Sequence, residues 1–420
     1  MTRLGWGRAL VGIALGGLVL RVIYAYAIVK SKPLGGDALE FQLQANLLAD
    51  GHGYIQPFVW QAAHIARPTA DKPPVYPFLE AALSLFGGRS WAWHDVVDIL
   101  AGTATIAVTG LLGRRVGGPR LGLIAAAITA VYPLLIAADG SLRSESVFAL
   151  LVTLALLQTL RLREAPSARG AALLGAIIAL ATLTRSEALL LVVLLPFGVA
   201  GLRRGLVAVG VCALVLLPWF IRDWIAFDQP VLLSTNAGGL LAGANCHETY
   251  YGAFIGQWTF SCIPPPTSTN EAVVSNHLRD VGLRYARDHA GRLPVVIAAR
   301  IGRSFELFQP AQQWHMEASF EGRNLTIEQL GVLAYYVVAV LAIAGTIILR
   351  RRHGPWLVLL SPLVLVLFVS ITAYGFTRFR VGAEPALIVL AAVALDALVR
   401  RWRREPATHD EPAPGVPAAA

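Results

Sequence analysis

The chain has 420 residues, of which 56% are hydrophobic and 15% charged, with a formal net charge of +9 and a mean hydropathy of +0.60. A soluble domain of this length exposes far more charge, so composition excludes one and points to an all-α polytopic membrane protein. The basic excess invites a nucleic-acid partner, and the placement of the arginines removes that reading.

A membrane-crossing helix needs ~20 mostly apolar residues, and about ten segments meet or approach that length. They are 8–29, 92–113, 120–138, 144–161, 170–183, 186–202, 205–221, 328–349, 355–373 and 384–400. With the N-terminus inside, the inner loops receive Arg3 and Arg8, Arg114, Arg115 and Arg120, Arg161, Arg163 and Arg169, Arg203 and Arg204, Arg350 to Arg352, and Arg400 to Arg404. Every inner loop is basic, the positive-inside pattern. The charge excess therefore faces anionic lipid rather than nucleic acid. Arg3 and Arg8 ahead of an apolar run, with Ala25-Tyr26-Ala27 after it, also resemble a signal peptide, but the run exceeds the 7–15 apolar residues of a usual signal core. The scarcity of lysine beside arginine fits a GC-rich bacterial genome.

The first outer loop, about 30–90, opens with Gly35-Gly36-Asp37-Ala38-Leu39-Glu40. Leu39, Leu43, Leu47 and Leu48 recur at helical spacing, which predicts an interfacial helix over 37–50. Asp37 at its start reads either as an N-cap, with Glu40 completing a capping-box-like pair, or as a catalytic carboxylate. Asp71-Lys72-Pro73-Pro74-Val75-Tyr76-Pro77 follows. Its prolines fix an extended or turned backbone. Lys72 beside that rigid stretch either snorkels or binds a phosphate. Val75 to Phe86 predicts a second interfacial helix.

Arginine at membrane depth is costly and marks function by default. Arg21 lies in the first span. Arg143, Arg185, Arg378 and Arg380 gather at outer span ends, with Asp139, Glu145, Glu187 and Glu384 beside them. These groups serve as structural ion pairs or as a site for an anionic lipid head group. A long outer loop, about 222–326, carries an amphipathic helix over 271–289. A second helix after Pro294 sets Arg300 and Arg303 on one face, as phosphate ligands or as a solvated surface. Cys246 and Cys262 share this loop, where an oxidising outer face permits a disulfide. No Cys/His spacing resembles a zinc site. Residues 405–420 are Pro- and Ala-rich and read as a disordered tail, leaving 1–404 as one membrane domain.

These motifs, in order, resemble the GT-C superfamily of polyprenyl-phosphate-sugar-dependent glycosyltransferases, most of all the family-39-type members related to protein mannosyltransferases and aminoarabinose transferases. The resemblance runs from Asp37 and Leu48-Ala49-Asp50-Gly51-His52-Gly53-Tyr54, through Asp71 to Pro74, Ser144-Glu145-Ser146, Thr184-Arg185-Ser186-Glu187 and Leu217-Pro218-Trp219 with Arg222. It continues through Leu233 to Gly239 and Gly243-Ala244-Asn245 to Arg378-Phe379-Arg380 with Glu384-Pro385.

The resemblance implies a GT-C-type bundle whose site lies on the outer face of a bacterial plasma membrane. A monosaccharide would pass from a polyprenyl-phosphate donor to a glycan, lipid or protein acceptor, with inversion. Asp37 matches the catalytic base. Lys72 matches a contact to the lipid phosphate, with Asp71 its acidic companion, and Glu145 matches a second carboxylate. Arg378, Arg380, Arg300 and Arg303 are candidate donor-phosphate ligands, with Glu40, Asp139 and Glu187 as supporting acids. Ala38 stands where protein mannosyltransferases carry a second acid, so the acceptor stays open. No cofactor is required, although the carboxylates leave room for a divalent cation. The alternative is a lipid-linked-sugar flippase or other transporter, which predicts ionisable groups at the midplane of two related halves.

Overall fold

The computed structural model describes residues 3–29 and 35–402. The 405–420 tail, Lys30 and Lys32 lie outside the described residues. The protein is nearly all helical, with an Ile55–Pro68 bridge as the only β pairing among the described residues. Five helices are long and apolar enough to cross a membrane: Leu4–Val29, Trp91–Gly117, Glu145–Glu164, Gly201–Phe227 and Leu325–Arg351. Pro119–Val131, Ala168–Thr182 and Trp356–Thr372 are shorter apolar helices beside them.

Glu384–Trp402 runs through the middle of this bundle, and its side chains from Glu384 to Ala394 are all buried. A helix apolar on every side belongs in a core. It touches Leu325–Arg351 almost backbone to backbone, since a Cβ on Gly345 would fall 1.8 Å from the Leu390 carbonyl oxygen. Small residues permit such approaches between membrane helices.

Two expected spans are broken. Residues 120–138 divide at Tyr132, ahead of Pro133, into Pro119–Val131 and Pro133–Ala138. Over 186–202 the chain forms a short 3₁₀ turn, Ser186–Leu190, and one α turn, Leu191–Leu194, before Pro196. The next helix, Phe197–Phe227, is kinked at Gly201, whose φ of 75° and ψ of 170° are not helical. Proline and glycine end the segment well short of a bilayer's thickness.

The two ends of the bundle differ in charge. At one end Arg114 stacks over Trp6 at 4.3 Å, Arg115 pairs with Glu164, and Arg400 pairs with Asp396 at 2.7 Å. The other end carries the first loop helices, Gly36–Ala49 and Val75–Leu85, close to the boundaries expected from periodicity. It also carries the long loop, which folds into the helices Asn236–Ala244, Glu271–Asp288, Leu293–Ser304 and Pro310–Phe320. Cys246 and Cys262 are joined by a disulfide there, closing the loop between them.

Arg21 and Asp139 join spans rather than serve a site. The Arg21 guanidinium donates to Asp139 at 2.6 Å and to the carbonyls of Gly17 and Ala130, all out of contact with solvent. Asp139 presses against Gly102, where a Cβ would lie 2.0 Å from its carboxylate.

Candidate active site

Asp37 sits in the first turn of Gly36–Ala49, and Gly35, not Asp37, is the N-cap. Its side chain bonds away from the helix end, so the capping reading fails. One oxygen faces the Lys72 ammonium at 3.1 Å. The other accepts from Arg143 and from Arg378, both at 2.9 Å. Lys72 also meets Asp71 at 2.7 Å and Glu40 at 3.4 Å. Arg143 and Arg378 share Glu321, at 2.6 Å and 3.3 Å. Arg378 approaches Glu145 at 3.8 Å, and Arg185 bridges Glu145 and Glu187 at 3.0 and 2.7 Å. Six carboxyl groups and four cations thus form one network.

The electrostatics follow from that crowding. Burial works against charge on Asp37, but Lys72, Arg378 and Arg143 outweigh it and hold the carboxyl well below its ordinary range. Burial pushes Glu40 up to about 8, with Asp71 and Asp37 adding to the rise and Lys72 opposing it. Burial opposes charge on Lys72 too, yet Asp37, Asp71 and Glu40 keep its ammonium well above the usual lysine value. At neutral pH Asp37 is therefore a carboxylate, Lys72 a cation and Glu40 mostly neutral.

The Asp71–Pro74 strap is held by its carbonyls. Proline removes two donors from it, so the remaining backbone bonds outward. The Tyr54 hydroxyl donates to Lys72 O at 2.9 Å, and Ser234 Oγ donates to Asp71 O at 2.7 Å. The Thr235 amide donates to Ala70 O at 2.9 Å. Arg222 spans the Thr69 and Tyr54 carbonyls, each at 2.6 Å. The Leu233-Ser234-Thr235 run of the long loop thereby fixes where Lys72 points. Glu271 backs this junction by accepting from Thr235 Oγ1 at 2.5 Å.

A cavity of about 470 Å³ opens beside the network. Asp37, Lys72, Glu145, Arg185, Glu187 and Arg378 line its polar end. Leu232, Leu240, Leu241, Phe368, Val369 and Phe379 line the rest. Lys72, Arg185 and Arg378 are the cations that this polar end offers, and the remaining walls are apolar.

Of the residues expected from sequence, Asp37, Glu40, Asp71, Lys72, Glu145, Glu187 and Arg378 come together. The structure places Arg300, Arg303, Arg380 and Asp139 apart. Arg300 donates to the Ala244 carbonyl at 2.6 Å and to Asn245 at 3.0 Å, and Arg303 donates to the Ile255 carbonyl at 2.6 Å. Both are buried, so their shared helix face is packed backbone contact, not an anion site. Arg380 bonds Glu384 at 2.5 Å and stacks on Tyr335 at 3.4 Å, also away from the cavity.

Arg143 and Arg185 carry more of the site than their sequence positions suggest. Glu321 gave no sequence signal. Around Asp37 every carboxylate already faces a lysine or arginine, and no group of three His, Cys, Asp or Glu among the described residues is placed to hold a metal. A divalent cation at Asp37 would have to displace Lys72 or an arginine that already pairs with these carboxylates.

A family model for dolichyl-phosphate-mannose-protein mannosyltransferase matches residues 71–221. That region holds Asp71, Lys72, Arg143, Glu145, Arg185 and Glu187 but not Asp37, Glu321 or Arg378. No curated protein matches the chain in sequence. Among solved structures, the apo oligosaccharyltransferase of Archaeoglobus fulgidus superposes with a TM-score of 0.57 at 17% identity, covering 96% of this chain and 52% of that one. The archaeal oligosaccharyltransferase AglB of the same organism, in complex with an inhibitory peptide and a dolichol-phosphate, superposes with a TM-score of 0.53 at 15% identity over 95% and 51%.

This is the GT-C fold. The chain spans about half the length of the archaeal proteins that share the fold. ArnT from Cupriavidus metallidurans, bound to undecaprenyl phosphate, aligns over 94% of this chain and 79% of its own at 16% identity, with a TM-score of 0.45.

Proposed function

We propose that the protein is a membrane glycosyltransferase that moves a monosaccharide from a polyprenyl-phosphate donor to an acceptor hydroxyl on the outer face of a bacterial plasma membrane. The observation that carries this reading is the Asp37 carboxylate held by three cations at the head of an apolar-walled cavity. The donor phosphate takes the polar end and its isoprenoid tail follows the leucine and phenylalanine walls. The basic far end of the bundle supports the outward orientation of this site.

A carboxylate clamped by three cations is a weak base, whereas a general base works best with a pKa near the operating pH. The donor resolves the conflict. Its phosphate competes with Asp37 for Lys72, Arg143 and Arg378, and each cation it takes raises the proton affinity of Asp37. Asp37 then accepts the acceptor hydroxyl proton as that oxygen bonds the anomeric carbon. The bond from that carbon to the phosphate oxygen breaks, and the electron pair leaves on polyprenyl phosphate. Lys72 and Arg378 stabilise the charge that develops there. Direct displacement with one base inverts the anomeric centre.

The test is purified protein with a panel of polyprenyl-phosphate sugars, following released polyprenyl phosphate by mass spectrometry. Lys72→Ala should slow release by at least ~100-fold, the range for a positioned charge at the leaving group. Lys72→Arg should restore part of it. Unchanged turnover in Lys72→Ala would remove the strap from the mechanism.

A further inference from the structure

A second cavity, about 90 Å³, abuts the Asp37 network and shares no lining residue with the large one. Ala38 and Arg143 form its border with the network, and Trp91, Asp95, Ser141 and Glu321 give it its chemistry. Asp95 is decisive. It lies in the first turns of Trp91–Gly117, is 2% exposed, and faces no cation within ion-pair distance among the described residues. Neither of its carboxyl oxygens makes a hydrogen bond of normal geometry, although the Leu142 amide lies nearby. A buried carboxyl group without partners at membrane depth is costly and marks a site by default.

Resting on the glycosyltransferase reading, we infer that this cavity receives the acceptor, that the acceptor is a carbohydrate hydroxyl, and that Asp95 is its anchor. At about 90 Å³ the cavity is too small for a lipid tail but admits one hydroxyl-bearing group, and Trp91 beside it favours a sugar edge over a serine or threonine side chain. One hydroxyl-bearing edge of a sugar ring fits. The lining agrees, because a carboxylate accepts from hydroxyls and a protonated carboxyl both donates to and accepts from them. Trp91 offers an aromatic surface backed by Tyr26, whose ring centroid is 6.2 Å away. Leucine and phenylalanine walls, which suit the isoprenoid, are concentrated in the other cavity. Asp37 and Ala38 are consecutive, so a hydroxyl in the small cavity and a phosphate in the large one meet on either side of the proposed base.

The experiment compares wild type, Asp95→Ala and Trp91→Ala, using the donor found active in the panel. The acceptors are a set of methyl disaccharides and a serine- and threonine-containing peptide. The inference expects transfer to saccharide, with KM for the disaccharide raised at least tenfold in Asp95→Ala and kcat within threefold of wild type. Trp91→Ala should raise the same KM. Titration with polyprenyl phosphate checks that each variant keeps a folded donor site.

Saturation-transfer NMR of the same disaccharides asks the binding question without turnover. Binding sensitive to Asp95 in a protein that releases no polyprenyl phosphate would keep this site and overturn the activity reading. Transfer to peptide alone, or a disaccharide KM indifferent to Asp95, would overturn the inference and leave the activity reading standing.

Discussion

At the scale of single residues the site is governed by competition for cations. On the proposed mechanism, Asp37 and an incoming phosphate compete for the same three partners. Removing the charge of Asp37 should therefore help the phosphate while it destroys catalysis. Asp37→Asn is expected to bind polyprenyl phosphate more tightly than wild type and to lose sugar transfer by at least ~100-fold, the contribution of a positioned base. Isothermal titration and the release assay measure the two arms. Weaker phosphate binding in Asp37→Asn would mean that the carboxylate organises the cations rather than blocks them. The three groups that meet at Asp37 come from remote parts of the chain: Arg143 is 106 positions away and Arg378 is 341. Sequence could mark each as an expensive charge at a span end, but not that they converge. Glu321 follows a short helix in the long loop and looks like any surface acid until the loop folds back onto Arg143.

At the scale of elements, the strap that carries Lys72 depends on a helix of another loop. Burial, reinforced by Asp71, pushes Glu271 up to about 7, so its neutral form is favoured in the folded protein. A carboxyl whose folded value is raised contributes stability in full below its unfolded pKa of ~4.3 and loses that contribution as pH climbs through the folded value. Wild type should therefore lose thermal stability relative to Glu271→Gln between pH 4.3 and about 7, with the gap constant above pH 8. Melting curves across that range measure it, and a gap independent of pH would show that Glu271 does not titrate there.

The same scale explains why Arg300 and Arg303 misled. Two arginines at i and i+3 announce a charged helix face, yet a guanidinium is equally served by backbone carbonyls, and loop carbonyls are invisible in a hydropathy pattern. Arg21 and Asp139 show the converse. Each reads as a site charge, but 118 positions apart they neutralise one another between spans.

At the scale of the molecule, the alternation of apolar segments and basic loops was enough to foresee a helical bundle with several membrane-length helices and two long loops. The broken 186–202 segment was harder, because its hydrophobicity satisfies a span while Pro196 and Gly201 decide that it cannot be a straight one. The charge asymmetry of the two ends also makes a prediction about orientation. Thr267→Cys, exposed on the long loop, should react with an impermeant maleimide in intact cells, and Arg163→Cys, exposed at the basic end, only after permeabilisation. The native cysteines stay silent, since two are joined and Cys212 is buried. Labelling in the opposite order would place the carboxylate network in the cytoplasm.

The leucine and phenylalanine walls of the large cavity have a kinetic corollary. A substrate gripped along its hydrocarbon is drawn from a two-dimensional solution, the bilayer or the micelle, and its spent carrier returns to that same film. Velocity should then follow the mole fraction of donor in the lipid phase rather than its concentration in the tube. Adding empty detergent micelles at constant total donor should slow the reaction, and enriching the micelles with bare polyprenyl phosphate should inhibit it competitively. A rate indifferent to such dilution would mean that the walls do not hold the tail.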